Sequence, residues 1–275
     1  MAKAGLSSHN LEALVRQRVG RFFCNHASWK DPLRTVISTI EDHKWPAVVF
    51  GGVVRDLLLF GLTEKPRDVD IVLDKVSKKE LMDVFSEKVY RTTRFGGLNL
   101  RTDGWLIDLW PLEETWAFRG EAVTRIGFEQ LPTTTFLNVE AVAIELTTQR
   151  GRERRIYASG FFQAIRSKTI EVNFEPNPYP GLCIVRSLVM AARIGFMVGP
   201  ELARYIAKNS QLFTIDDLLG IQIAHYGKIR CGGDDLEAWL SAIQNHVEST
   251  PKKSFSLPVS HAKQLELSND WCPAC

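Results

Sequence analysis

The sequence predicts an α/β protein, a mixed sheet with covering helices followed by a helical region. Three observations lead there. Short apolar runs of β-branched and aromatic residues (Ala47 to Phe50, Asp68 to Asp74, Trp105 to Trp110) alternate with stretches of helical apolar spacing. A glycine pair, Gly51-Gly52, closes the first run as a turn between strand and helix would. Beyond the proline-rich segment Phe174-Glu175-Pro176-Asn177-Pro178-Tyr179-Pro180-Gly181, helical spacing dominates.

In chain order, Leu6 to Phe23 places Leu11, Leu14, Val15, Val19, Phe22 and Phe23 near helical spacing with basic residues between them, an amphipathic helix that packs on the protein or on a partner. Asp31-Pro32 reads as a helix start, and the helix stops before Trp45-Pro46. The strand over 47–50 passes through the glycines into a helix over Val53 to Phe60 that ends before Gly61. Asp68 to Asp74 is a strand, and Ser77 with Glu80 forms a capping box for a helix to Lys88. Thr102-Asp103-Gly104 is a hairpin signal between Phe95–Arg101 and Trp105–Trp110. Two further strands are expected, at Ala122 to Glu129 and Asn138 to Thr147, then helices at 184–196, 200–209, 215–226 and 236–247.

The chemistry concentrates in two places. Glycines without Cβ let a ligand approach the main chain, and the helix start that follows presents amide groups suited to a triphosphate. Arg55 adds a planar donor fork for phosphate oxygens. Asp68 and Asp70, two apart on a strand, point to one face and can hold a pair of hard divalent ions about 4 Å apart. The third acid is Asp108, a lone carboxylate inside Trp105-Leu106-Ile107-Asp108-Leu109-Trp110, where burial without a partner would cost several kcal/mol. Each motif alone also has a plain structural reading as a turn or a solvated strand mouth; their order along the chain carries the functional one.

At these residues the chain resembles the head domain of bacterial poly(A) polymerases and class II CCA-adding tRNA nucleotidyltransferases, of the DNA polymerase beta superfamily. Gly51-Gly52-Val53-Val54-Arg55-Asp56 is similar to that family's nucleotide-binding turn, and Arg67-Asp68-Val69-Asp70-Ile71-Val72 to its metal-binding pair. Leu137-Asn138-Val139-Glu140-Ala141-Val142 resembles its segment around Ile-Asn-Ala, and Arg186 with Ala191-Ala192-Arg193-Ile194-Gly195-Phe196 its first neck helix. The resemblance implies a short, divergent member. Its units would be an N-terminal helical extension over 1–32, a nucleotidyltransferase head over 33–175, a helical neck-like domain over 176–250 and an irregular tail over 251–275.

It also implies Asp68, Asp70 and Asp108 as catalytic metal ligands for Mg2+ or Mn2+. The nucleoside triphosphate, ATP or CTP, would be held by Gly51, Gly52, Arg55, Asn138, Arg186 and Arg193. The expected reaction moves a nucleoside monophosphate to an acceptor hydroxyl, an RNA 3′ end foremost, with release of pyrophosphate. A protein acceptor, or an inactive nucleotide- or RNA-binding relative, are the alternatives. Three departures bear on the acceptor. Pro132-Thr133-Thr134 stands where the family carries Arg-Arg-Asp, Cys183 and Val189 stand at frequent arginine positions, and Asp216-Asp217-Leu218-Leu219-Gly220 lacks the arginine of the base-selecting motif. The chain also looks short for gripping a whole tRNA.

Composition sets outer bounds. With 275 residues, 45% hydrophobic content and a net charge of +2, the chain can form one or two domains and neither requires nor excludes nucleic acid. No apolar run is long enough to span a bilayer, so no membrane partner and a cytoplasmic location are expected. Five scattered cysteines argue against a disulfide framework; Cys272 and Cys275 could form half a zinc site or a redox pair, with a plain tail favoured. Gln149 to Arg155, the densest basic cluster, is read as a solvated hairpin tip in preference to an RNA contact. Protein partners would be met through the N-terminal helix or the tail.

Overall fold

A computed structural model describes residues 8–24, 31–61, 66–93, 97–102, 104–120, 123, 125–146 and 152–259. The chain folds into two compact units, Met1–Thr135 with Val139–Phe162, and Phe136–Asn138 with Gln163–Cys275.

The first unit is built on a seven-stranded sheet. Its strands are β1 (Ala47–Phe50), β2 (Val69–Leu73), β3 (Val89–Thr92), β4 (Leu98–Thr102), β5 (Trp105–Pro111), β6 (Val142–Glu145) and β7 (Ile156–Ala158), in the spatial order β3-β4-β5-β2-β1-β6-β7. β2 and β5 run parallel, while every other neighbouring pair in this sheet is antiparallel. Along β5, buried Trp105, Ile107, Leu109 and Pro111 alternate with partly buried Leu106, Asp108 and Trp110, so one face of the sheet is core and the other is half-open.

Helices α1 (Ser8–Cys24), α2 (Asp31–Asp42), α3 (Gly52–Phe60) and α4 (Lys78–Phe85) belong to this unit, with a short α5 (Trp116–Arg119) after β5. The amphipathic reading of α1 is met within the chain itself. Leu11, Val15, Val19, Phe22 and Phe23 are buried, Phe22 stands edge-on to Trp105, and Arg18 donates to the carbonyl oxygens of Leu57 (3.1 Å) and Leu58 (2.5 Å) at the end of α3. The Leu57 carbonyl also accepts from the Gly61 amide, and a cation at this helix end interacts favourably with the partial negative charge of the last-turn carbonyls. Helix α1 is therefore part of the first unit and not a separate extension. The capping box of α4 is present, with Ser77 and Glu80 satisfying each other's backbone amides.

Two expected strands are corrected. Within Ala122 to Glu129 the described residues form bends and turns. Val123 and Phe128 are fixed there by packing on the cluster of Val48, Val72, Leu112, Phe118, Leu131 and Ala143, while Ile126 is 54% exposed; apolar side chains anchor a loop instead of alternating along a ladder. The strand expected from Asn138 begins only at Val142, because Asn138–Glu140 is a 3-10 turn. The Asn138 side chain bonds the backbone at Thr169 and Glu171, an alternative to sheet pairing that Asn readily offers.

The second unit contains α7 (Pro180–Ile194), α8 (Pro200–Ser210), α9 (Ile215–Tyr226) and α10 (Gly233–Ser249), as their spacing predicts. Helix α6 (Phe161–Ser167) contains the division between Phe162 and Gln163, earlier than the proline-rich segment at 174–181. The reason is a two-stranded parallel pairing of β8 (Thr169–Ile170) with β9 (Met197–Val198), which recruits the chain to the second unit before those prolines. Part of the expected tail is ordered, since Phe255 bridges to Val198. Cys183 and Cys231 are buried and not joined in a disulfide; Cys272 and Cys275 lie outside the described residues. Among the described residues no helix is long and apolar enough to cross a membrane.

Candidate functional site

A row of side chains crosses the half-open face of the sheet. Asp70 on β2 stands opposite Phe50 on β1 and opposite Asp108 on β5; Asp108 in turn faces Asn99 on β4, and Asn99 faces Arg91 on β3. Directly opposed residues share a face, so the two acids are immediate neighbours across a parallel strand pair. Asp68, two residues before Asp70, enters the same edge of the row. Its carboxylate is taken by Arg67, whose Nε and Nη2 donate to Oδ2 at 2.9 and 2.5 Å.

These acids feel one another. Burial pushes the Asp70 carboxyl well above the usual aspartate range, and the charges of Asp68 and Asp108 push it further, against the pull of Arg67. Burial likewise raises Asp108, while the hydrogen bond from Asn99 lowers it and Asp68 raises it. Three crowded carboxylate groups are the hard oxygen donors that a divalent cation prefers, and a cation would relieve their repulsion. They are not already drawn into a cluster. Among the described residues no group of three or more His, Cys, Asp or Glu side chains is placed to hold a metal ion, with Asp68 turned onto Arg67 and Asp108 onto Asn99.

The glycine turn follows directly from the row, because Phe50 is the last residue of β1. Gly51 adopts φ 71°, ψ −127°, a conformation open to glycine and strained for other residues. Its amide donates to the Val142 carbonyl at 2.9 Å, and its own carbonyl accepts from Val54 and Arg55. No side chain caps the start of α3, so this helix end presents backbone donors of the kind that bind phosphate.

Arg55 is found in ion pairs. Its side chain is buried, with Nε and Nη2 on Asp56 Oδ1 (2.8 and 2.7 Å) and Nη1 on Glu140 Oε1 at 3.0 Å. A Cβ on Gly52 would come within 3.4 Å of Nη2, so the guanidinium lies directly behind the turn. The expectation that Arg55 extends its fork to phosphate gives way to a role in bracing the turn from below. Glu140 is a residue that the sequence reading missed. The reasoning that selected Asp108, a lone carboxylate in an apolar run, applies equally to Glu140 between Val139 and Ala141. The same holds for Asn99 between Leu98 and Leu100.

The remaining candidates fall in the second unit. Asn138 donates to the Thr169 carbonyl (3.3 Å) and accepts from the Glu171 amide (2.9 Å), which makes it a strut of that unit. Arg186 and Arg193 lie seven residues apart on α7, on one face of the helix. The described arginines of the basic cluster serve the β6–β7 hairpin: Arg152 pairs with Glu145 at 2.8 Å, and Arg154 donates to the carbonyls of Glu145 and Leu146. Residues 147–151 lie outside the described residues.

Comparison with known proteins bears on the fold. Residues 32–114, which include β1, the glycine turn and all three acids, match the family model described as aminoglycoside-2''-adenylyltransferase. No curated protein is matched. Among solved structures the chain is similar to a tRNA-processing enzyme complex (17% identity, TM-score 0.55, covering 78% of this chain and 57% of that one). It is also similar to a tRNA nucleotidyltransferase complexed with a primer tRNA and an incoming ATP analog (17%, TM-score 0.54, 78% and 61%). A third likeness is to the Bacillus stearothermophilus CCA-adding enzyme in complex with CTP (17%, TM-score 0.53, 74% and 49%). The chain thus spans between 49% and 61% of the length of these proteins. At such identity the shared property is the fold, and the mixed sheet with its helical second part has the fold of these enzymes.

Proposed function

We propose that this chain is a divalent-metal-dependent nucleotidyltransferase that joins a nucleoside monophosphate, from ATP or CTP, to the hydroxyl at an RNA 3′ end and releases pyrophosphate. The observation that carries this reading is the register that sets Asp70 opposite Asp108, with Asp68 two residues away and the Gly51–Gly52 turn at the end of the adjoining strand. Asp68, Asp70 and Asp108 would hold magnesium or manganese. When bound, such ions lower the pKa of an acceptor hydroxyl and neutralise charge on a leaving pyrophosphate.

The protein's own part is placement and field. The uncapped start of α3 and the open backbone at Gly51 and Gly52 cradle the triphosphate. The acceptor oxygen attacks the α-phosphorus, the bond from that phosphorus to the β-phosphate oxygen breaks, and Asp108 assists loss of the acceptor proton. Arg55, paired with Asp56 and Glu140, keeps the turn rigid beneath the phosphates. Arg186 and Arg193 on α7 are proposed as further phosphate-binding residues.

A second reading has its own support. The match of residues 32–114 to an aminoglycoside adenylyltransferase family favours a small-molecule hydroxyl as the acceptor. Incubating the full chain with each labelled nucleoside triphosphate and Mg2+ or Mn2+, in separate reactions with total RNA, total protein and aminoglycosides, decides among acceptors. Label on RNA that disappears in Asp70→Asn supports the proposal, and label only on the small molecule or on protein replaces it. Nucleotide binding without transfer in every reaction leaves a binding protein in its place.

A further inference from the structure

Asn99 is a buried polar residue in the row of side chains that carries the acids. It sits on β4 between Leu98 and Leu100, which are fully buried, and is itself only 8% exposed. Its amide is engaged on both sides within the row that carries the acids. Arg91 Nε donates to Asn99 Oδ1 at 3.1 Å, and Asn99 Nδ2 donates to Asp108 Oδ1. A guanidinium can only donate and a carboxylate can only accept, so the bridging group must accept at one end and donate at the other. A short neutral amide does both. An aspartate at this position would oppose Asp108 with a like charge, and a leucine would abandon both neighbours.

The strand pairing supports the same conclusion independently. At the β3–β4 edge, Val89 faces Leu100, but the register then shifts so that Arg91 faces Asn99. Without that irregularity Tyr90 would occupy the place opposite Asn99 and Arg91 would point to the other face, because one residue of slip reverses every side chain. The irregularity thus re-aims one arginine into the acid row, a known use of bulges beside functional sites.

We infer that Asn99, held by Arg91, is a positioning residue of the acid site: it fixes Asp108 through Oδ1 so that Oδ2 is the oxygen offered to the cation. The inference rests on the reading of Asp68, Asp70 and Asp108 as metal-holding acids. Partners that orient a metal ligand in this way change metal affinity or activity by about 10- to 100-fold when removed.

Direct titration of the full chain with Mn2+ and no nucleotide, following the electron paramagnetic resonance signal of the free ion, tests it. Thermal melting of each protein in the same buffer reports stability separately. Asn99→Leu is expected to bind Mn2+ about tenfold more weakly than the native protein, and Arg91→Ala to weaken it in the same direction by less. The double variant should bind no more weakly than Asn99→Leu alone, since both changes cut one chain of contacts. Native-like Mn2+ binding by Asn99→Leu, while Asp70→Asn loses it, overturns the inference and leaves the acid site standing. Should Asn99→Leu not fold, Arg91→Ala, at an exposed strand position, decides in its place: native-like binding by this variant overturns the inference. Absence of Mn2+ binding by the native chain, or undiminished binding by Asp70→Asn, overturns the acid-site reading and this inference together.

Discussion

Arg55 and Glu140, 85 positions apart in the sequence, meet at 3.0 Å behind the Gly51–Gly52 turn. The pair ties the start of α3 to the turn before β6, and both side chains are largely withdrawn from water. Removing one member of a buried ion pair leaves the other charged group uncompensated, at a cost of about 3–5 kcal/mol. Arg55→Ala is therefore expected to destabilise the first unit by that order, measured by urea unfolding of the full chain. Arg55→Lys should recover only part of the loss, because a single ammonium cannot reproduce the fork that engages Asp56 and Glu140 together.

Asp70 gives a pH dependence with a definite sign. Its folded carboxyl is raised by burial and by its acidic neighbours, so the native state keeps a proton at pH values where the unfolded chain has lost it. The resulting contribution to stability is fully present at low pH and is lost as pH rises from about 4 through the raised value. In buffer without divalent ions, the melting temperature should fall over that window because of this group. Asp70→Asn should melt higher than the native protein at neutral pH and depend less on pH. Mg2+ should stabilise the native chain and leave Asp70→Asn unchanged, as expected for a ligand that binds only the folded acid site. A native-like pH profile in Asp70→Asn would contradict this account.

Gly51→Ala isolates backbone strain from crowding. A Cβ there would have the Glu140 carbonyl oxygen at 3.8 Å, an ordinary contact, so the penalty comes from φ 71°. A residue forced into such a region costs about 1–3 kcal/mol. The variant should unfold at lower urea by that amount. It should also weaken binding of a nucleoside triphosphate, followed by calorimetry, because relief of the strain displaces the start of α3.

Gly181→Ala reports on packing in the second unit. An added Cβ would lie 2.6 Å from Ile221 Cδ1 and 2.9 Å from Phe213 Cε1, so these two side chains must shift to admit it between α7, α9 and the loop before α9. Overpacking of this kind costs about 1–3 kcal/mol. Thermal melting should show the loss, while Mn2+ binding to the acids of the first unit stays native.

Elements whose signal is local were legible in the sequence. The Ser77–Glu80 capping box, the helix over 215–226, the glycine turn and the hairpin joining β4 to β5 all depend on residues within a few positions of one another. Strand β3 escaped notice because Val-Tyr-Arg-Thr is a short exposed edge with no apolar alternation to mark it. Ala122 to Glu129 misled in the opposite sense, its apolar residues serving to pin a loop. Carboxylates that interrupt apolar runs mark the candidate acids and Glu140 alike, but which side chain each one meets could not be read. Glu140 under Arg55 and Arg91 beside Asn99 are brought together by sheet order and by a shifted register, which no local pattern encodes.

The opposition of Asp70 and Asp108 also has a mechanical consequence for the sheet. Like charges directly across a strand pair weaken it, and β2 with β5 is the parallel joint between the β3-β4-β5 meander and the strands on the far side of β2. The seam that carries the facing acids is thus also the seam at which a cation would bind. Amide hydrogen exchange along Val69–Leu73 and Trp105–Pro111 would then be fastest in metal-free protein and slow on addition of Mn2+, making the ion a rivet as well as a reagent.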